Sequence, residues 1–200
     1  MAFHLIRHLE PRGARDICYG RRDLPCDTTS LASDAAAIRA RLPERALRES
    51  PVFTSPLSRC RALAQALAAP LAPCIADELI ELDFGLWDGA RWDALSRAEL
   101  DAWAGDVWHY RPGGGESAAM VEERWRRWCG RAASRGVESA IVVTHAGVIR
   151  AALAASGALR REEAASVRIP FGSVHPIGPP VLDPSERASQ PAEARPCTTS

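Results

Sequence analysis

Lysine is missing altogether: all 25 basic residues of this 200-residue chain are arginine. That excludes a catalytic lysine and leaves arginine or protonated histidine as the only side chains able to hold an anion by charge. Net charge is missing too, because 25 acidic residues cancel the 25 arginines. No overall field therefore draws the chain to nucleic acid or to an anionic membrane. No apolar run approaches the roughly 20 residues of a membrane helix. The N-terminus lacks the basic start, long apolar middle and small-residue cleavage site of a signal peptide. The six cysteines (Cys18, Cys26, Cys60, Cys74, Cys129, Cys197) include no C-x-x-C pair. Several stand in apolar surroundings, as reduced structural thiols do, so a cytoplasmic protein without structural disulfides is expected. There is no H-E-x-x-H or comparable ligand spacing, and no internal repeat.

What is present is enough for one sizeable domain, with 46% apolar residues and a length that supports its own core. Two apolar runs stop abruptly at a histidine. Phe3-His4-Leu5-Ile6 ends on Arg7-His8, and Ser139-Ala140-Ile141-Val142-Val143-Thr144 ends on His145, followed by Ala146-Gly147. Buried strands of an α/β sheet read this way when they deliver reactive side chains to the carboxyl edge, where ligands bind.

The remaining elements follow from periodicity. Leu31, Ala35, Ile38 and Leu42 share one helix face, and Pro43 ends or kinks that helix. Residues 51–55 form a short strand, with Pro56 at a plausible first helical position. Leu57, Cys60, Ala64 and Leu67 then line a helix that starts near Arg59. A third strand with an irregular exit is expected over Ile75 to Phe84, its four acidic residues too many for a central position. All six tryptophans lie between positions 87 and 128. Residues 90–128 read as a helical, Trp-rich insertion packed over one edge of the sheet, a lid for a substrate or simply core. Trp125 and Trp128 fit core, on a helix face with Met120, Val121 and Ala132. A helix from about Gly147 to Ser156 and a strand from Val167 through Val174 complete a domain spanning 1–177. Six of the 15 prolines fall in residues 176–200, so 178–200 reads as a disordered Pro-rich tail.

Two imidazoles with arginines nearby suit phosphate-monoester hydrolysis. That reaction needs a nucleophile, cations for the transferring oxygens and an acid for the departing alkoxide. His8 can supply the nucleophile, Arg7 and Arg59 the planar cationic forks, and His145 a further hydrogen bond. The helix opening after Gly147 can add backbone N–H groups. Glu81 and Asp83 are the candidates for the acid.

Five segments, in order, resemble the histidine phosphatase (phosphoglycerate-mutase-like) superfamily. Leu5-Ile6-Arg7-His8 resembles its Arg-His-Gly signature, and Tyr19-Gly20-Arg21-Arg22-Asp23-Leu24-Pro25 the loop that follows. Thr54-Ser55-Pro56-Leu57-Ser58-Arg59 is similar to the Ser-Pro-Leu-x-Arg segment. Glu81-Leu82-Asp83-Phe84-Gly85-Leu86-Trp87-Asp88-Gly89 is similar to Glu-x-x-Phe-Gly-x-Trp-Glu-Gly, and Val142 to Arg150 to the second histidine motif. The resemblance covers about residues 3–175. It implies a three-layer α/β/α sandwich with a mostly parallel sheet and a phosphohistidine intermediate on His8. It also implies phosphate pocket roles for Arg7, Arg59 and His145, Glu81 as general acid then base, and neither metal nor cofactor. The implied partner is a small-molecule phosphate monoester, with no nucleic acid or membrane and a homodimer left open. The segment from Trp103 through Ser117 looks most like α-ribazole phosphatases of cobalamin synthesis, with Tyr19, Gly20, Glu116 and Ser117 as substrate contacts. A broad-specificity sugar or nucleotide phosphatase and a phosphoglycerate-mutase-like enzyme are the alternatives within the superfamily. Leu9 replaces the signature glycine, which puts the pocket's backbone in question. Two readings compete from other classes: a non-catalytic phosphate-ester binding module, and a metal-dependent hydrolase using His4, His8, Glu10 and His145.

Overall fold

The computed structural model describes residues 2–181. Alternation decides its centre. In β1 (Ala2–Arg7), Phe3 and Leu5 enter one apolar cluster and Ile6 enters another, because successive strand residues face opposite sides. In β4 (Ser139–Thr144), Ala140 and Val142 join the first cluster, Ile141 and Val143 the second. Strands buried on both faces need apolar residues at nearly every position, which is why both stretches read as apolar runs, interrupted in β1 by His4 alone.

β1 and β4 pair in parallel from Ala2–Ser139 to Arg7–Thr144. β2 (Val52–Thr54) lies parallel to β4, and β3 (Cys74–Ile75) parallel to β2. β5 (Val174–Ile177) runs antiparallel along β1, so the order is β3-β2-β4-β1-β5. α1 (Leu31–Arg39) and α3 (Ser58–Ala68) cover one face through Ala35, Ile38, Leu63 and Leu67. The other face carries α5 (Ala118–Ser134) and α6 (Ala146–Ala155), with Trp125 edge-on to Phe3 at 5.8 Å. The three-layer sandwich with a mostly parallel sheet is as expected. No helix among the described residues is long and apolar enough to cross a membrane.

Several local expectations change. Pro43 begins a separate short helix, α2 (Glu44–Glu49). The helix expected to open at Pro56 opens at Ser58, since Leu57 is still extended at ψ 140°. The third strand, expected over Ile75 to Phe84, is only Cys74–Ile75; Asp77–Leu79 and Gly85–Trp87 form 3-10 turns instead. Backbone groups there are taken by other segments, Asp83 O by Glu116 N–H at 2.8 Å and Leu79 O by the Thr144 hydroxyl at 2.7 Å. The strand expected from Val167 begins only at Val174, because Arg161–Ser166 is a helix and Pro170 and Gly172 (φ +66°) make a turn first. Within 90–128, only α4 (Arg97–Gly105) and short 3-10 turns are peripheral; α5 covers a face of the sheet, not an edge. Met120 is exposed on it. In numbering by chain order, the Arg161–Ser166 helix is α7.

Cys18, Cys26, Cys60 and Cys129 are buried free thiols, but Cys74 is disulfide-bonded, against the expectation of reduced cysteines throughout. The four thiols sit in the interior, whereas Cys74 lies on the edge strand β3. Of the expected tail, Gly178 to Val181 are described, and Val181 is tied to α6 and α5 by hydrogen bonds to Ala155 O and from Arg126. The rest lies outside the described residues.

Candidate active site

His8 is the first residue beyond β1, and its N–H still reaches Thr144 O at 3.0 Å. Its Nδ1 lies 2.6 Å from Leu9 O. A carbonyl only accepts, so Nδ1 carries the proton and Nε2 keeps its lone pair. Burial chiefly, then the Arg59 and Arg7 charges, press the imidazole down to about 3, against the pull of the Leu9 hydrogen bond. His8 is therefore neutral near pH 7, as a nucleophile must be. Leu9 meets this geometry without glycine. Among described non-glycine residues only Asp16 has a left-handed φ, and the Leu9 side chain packs into the second core cluster. Its carbonyl serves His8 while its side chain serves the core.

Arg59 is fully buried near the start of α3. Its two terminal nitrogens donate to Arg22 O at 2.8 Å and Gly20 O at 2.7 Å. The loop carrying those carbonyls is gathered by Asp88, whose carboxylate accepts N–H bonds from Gly20, Arg21 and Arg22 at 3.2, 2.9 and 3.0 Å. Asp23 from the same loop accepts from Ser58 N–H at 2.9 Å, occupying the exposed donor at the head of α3. Gly20 lies so close to Leu82 O that any side chain would collide there.

The Arg7 guanidinium covers the Phe171 ring at 3.7 Å, donates to Ile169 O and sits beside the Tyr19 hydroxyl. Burial lowers its pKa, with Tyr19 and Glu81 acting the other way. The Nε of Arg7 and that of Arg59 are buried without an acceptor among the described residues. Unpaired buried donors are costly, and a phosphoryl oxygen would satisfy them.

His145 is the cap residue of α6 and fully buried. Its Nε2 is 2.8 Å from Ser55 Oγ, and its ring is edge-on to His8 with centroids 5.0 Å apart. Burial, followed by the electrostatic influence of His8, Arg59, Arg124 and Arg7, holds it well below 6.5. Those influences place His8, His145, Arg7 and Arg59 in one neighbourhood. His4, by contrast, lines a different cavity with Pro43 and Glu138. Four residues of extended chain separate it from His8, roughly 13 Å, so the two do not form one metal site.

The Glu81 carboxylate accepts from Leu82 N–H at 2.9 Å and Gly147 N–H at 3.1 Å. The head of α6 thus holds Glu81 through Gly147. A Cβ at Gly147 would strike that carboxylate. Glu81 also lines a cavity of about 340 Å³ with Phe84, Trp103, Val107, Trp108 and Arg150. Asp83, the other carboxyl considered, accepts from Gly85 N–H at 2.8 Å and pairs with Arg21, and it does not line the cavity. Glu116 is engaged with Arg124 and Arg21, and the Ser117 hydroxyl accepts from Met120 N–H as the cap of α5. Tyr19 and Gly20 lie beside the arginines.

Sequence reasoning missed Ser55, Asp88, Phe171 and Arg150 as neighbours of the site. Ser55, Asp88 and Arg150 lie inside the motif segments, where position pointed to them. Phe171 carries no local signal, because its contact with Arg7 spans the whole chain.

A family model of the histidine phosphatase superfamily (branch 1) matches residues 3–179. No curated protein matches. Among solved structures, the chain is similar to a phosphoglycerate mutase from Thermus thermophilus, at 30% identity and TM-score 0.60, over 90% of this chain and 89% of that one. It is similar in fold to the α-ribazole phosphatase from Shigella flexneri, at 23% identity and TM-score 0.74, covering 89% and 90%. A mycobacterial glucosyl-3-phosphoglycerate phosphatase in complex with VO3 has 22% identity and TM-score 0.73, covering 88% and 91%. With its neutral His8, paired arginines and second histidine in the matched segment, the chain belongs to branch 1 of the histidine phosphatase superfamily.

Proposed function

We propose that this protein hydrolyses a small organic phosphate monoester through a phosphohistidine on His8. The observation that carries this reading is the His8 ring: neutral, anchored by Nδ1–H to Leu9 O so that Nε2 keeps its lone pair, with the His145 ring 5.0 Å away and Arg7 and Arg59 close enough to act on it by charge. In the first half-reaction Nε2 forms a bond to phosphorus as the ester P–O bond breaks. The Arg7 and Arg59 guanidiniums offset charge on the phosphoryl oxygens. Glu81 acts as the general acid toward the departing alkoxide. In the second half-reaction the Glu81 carboxylate takes a proton from water, whose oxygen attacks phosphorus and releases His8 and inorganic phosphate.

α-Ribazole 5′-phosphate is the physiological substrate we favour. The Trp103–Ser117 segment supports it, as does the fold shared with an α-ribazole phosphatase. The charge compensation in this scheme comes from arginine, so EDTA is expected to leave turnover unchanged. The test is a screen over α-ribazole phosphate, phosphoglycerates, sugar phosphates and nucleotides, with trapping of acid-labile phosphate on the protein. His8→Ala should abolish both turnover and label. Wild-type rates in that variant would overturn the nucleophile assignment, and clean protein inert toward every ester would point to a binding module.

A further inference from the structure

One ring nitrogen of His145 is already engaged. Its Nε2 lies 2.8 Å from the hydroxyl of Ser55, the residue that directly follows β2. Ser55 and His145 are both fully shielded from solvent, so water does not supply a hydrogen bond that either lacks. Which of the two donates follows from the groups around Ser55.

Ser55 Oγ accepts the Leu57 N–H at 3.3 Å, which occupies a lone pair and leaves the hydroxyl hydrogen to be placed. The Cys60 sulfur is also near Ser55. Burial pushes that thiol well up, so it stays neutral and is a much weaker acceptor than an imidazole lone pair. Cys60 in turn donates its S–H to Thr144 O at 3.6 Å. The lone pair of His145 Nε2 is therefore the strong acceptor that the Ser55 hydroxyl meets among the described residues. The reverse arrangement, Nε2–H donating to Ser55 Oγ, would strand a buried hydroxyl hydrogen and leave a bare lone pair on Nδ1.

With Nε2 accepting, a neutral ring carries its proton on Nδ1. Among the described residues Nδ1 meets only Cys60 Sγ, at 3.9 Å, a distance too long for a firm hydrogen bond. It thus joins Arg7 Nε and Arg59 Nε, buried donors that also lack an acceptor there. All three belong to side chains grouped about His8, whose ring centroid is 5.0 Å from that of His145 and which feels both arginine charges.

We propose that Ser55 is a positioning residue: its hydroxyl donates to His145 Nε2, fixes the Nδ1–H tautomer, and so makes that ring a hydrogen-bond donor to a phosphoryl oxygen. His8 and His145 then share one tautomer and use opposite ends of it. His8 offers the Nε2 lone pair to phosphorus, and His145 offers the Nδ1 proton to oxygen, which a bare lone pair at Nδ1 would repel. The chemistry rests on the proposed phosphatase reading, whereas the tautomer and the contact with an anion are measurable without turnover.

The test is 15N NMR of histidine-labelled protein near pH 7, with inorganic phosphate as the probe. His145 should show a protonated Nδ1 and an unprotonated Nε2, and phosphate should shift the Nδ1 signal. Ser55→Ala should mix the two tautomers and lower kcat about tenfold or more, with KM within about threefold, because the lost contact is one to the transition state. Ser55→Thr, which keeps the hydroxyl, should restore both the single tautomer and the rate. If Ser55 only receives the Leu57 N–H, Ser55→Ala will lose stability while tautomer and kcat stay as in the wild type. That result, a wild-type ring protonated on Nε2, or an Nδ1 signal indifferent to phosphate would overturn the proposal and leave the phosphatase reading standing. Protein inert toward every ester, yet showing the expected tautomer and phosphate shift, would remove the phosphatase reading alone.

Discussion

At position 9 the backbone and the side chain answer to different parts of the molecule. The carbonyl orients His8 at 2.6 Å, and a carbonyl is common to every residue type, so the signature glycine is not required for that bond. Leu9→Gly should therefore keep turnover within about threefold. It should cost on the order of 1–3 kcal/mol in stability, from lost packing and a freer unfolded chain; urea unfolding beside a kinetic assay checks both. Gly147 behaves in the opposite way. Its missing Cβ is what lets Glu81 approach the head of α6. Gly147→Ala should displace that carboxyl and lower kcat at least tenfold for alkyl esters, whose leaving groups need the proton, and less for p-nitrophenyl phosphate. Equal losses on both substrates would argue against Glu81 as the acid.

Among elements, the 19–22 loop depends on one carboxylate. Asp88 accepts three successive backbone N–H bonds, and the same loop offers its carbonyls to Arg59. Asp88→Ala should loosen the loop and misplace the guanidinium, costing about 1–3 kcal/mol of stability and reducing kcat/KM tenfold or more. A crystal structure of the variant with Arg59 unmoved and normal kinetics would refute this coupling. α5 acts on the core instead. Trp125 is fully buried against Phe3 and Trp128, so Trp125→Ala should cost about 3–5 kcal/mol, read as a lowered unfolding midpoint. Helix faces such as Leu31–Ala35–Ile38 are legible in the sequence because burial on one side imposes a period. The stretch after Ile75 is not, since apolar and acidic residues there satisfy their backbone through distant partners, Glu116 and Thr144, which no local pattern encodes. The start of α3 is hidden for a similar reason: its first donor is satisfied by Asp23, 35 residues earlier.

For the whole molecule, gathering two neutral imidazoles in one buried site has a consequence for acid stability. His8 and His145 both titrate below the ordinary histidine value in the folded state, His8 at about 3. A group whose folded pKa is depressed contributes its full stability above the unfolded pKa, near 6.5, and loses it as pH falls toward the folded value. Stability should therefore decline between pH 6.5 and 4, with His8 contributing up to about 3 kcal/mol of that loss at pH 4. His8→Asn should flatten the slope of unfolding free energy over that window. In NMR, the wild-type His8 and His145 ring signals should stay at their neutral positions from pH 8 to pH 5. A histidine-like midpoint near 6.5 for either ring would contradict the buried site.

By itself the sequence determined which strands are buried on both faces, since only near-continuous apolar runs can serve there, and which side chains stand at their carboxyl ends. It also determined the family, because five motifs in fixed order persist where chemistry demands particular residue types. Tertiary structure alone decided that Phe171 lies beneath Arg7, that Asp88 holds the loop over Arg59, and that α5 belongs to the core while α4 hangs from Trp103. Each of these joins segments far apart in the chain, and such contacts form only when several elements pack at once, so no local period or spacing records them.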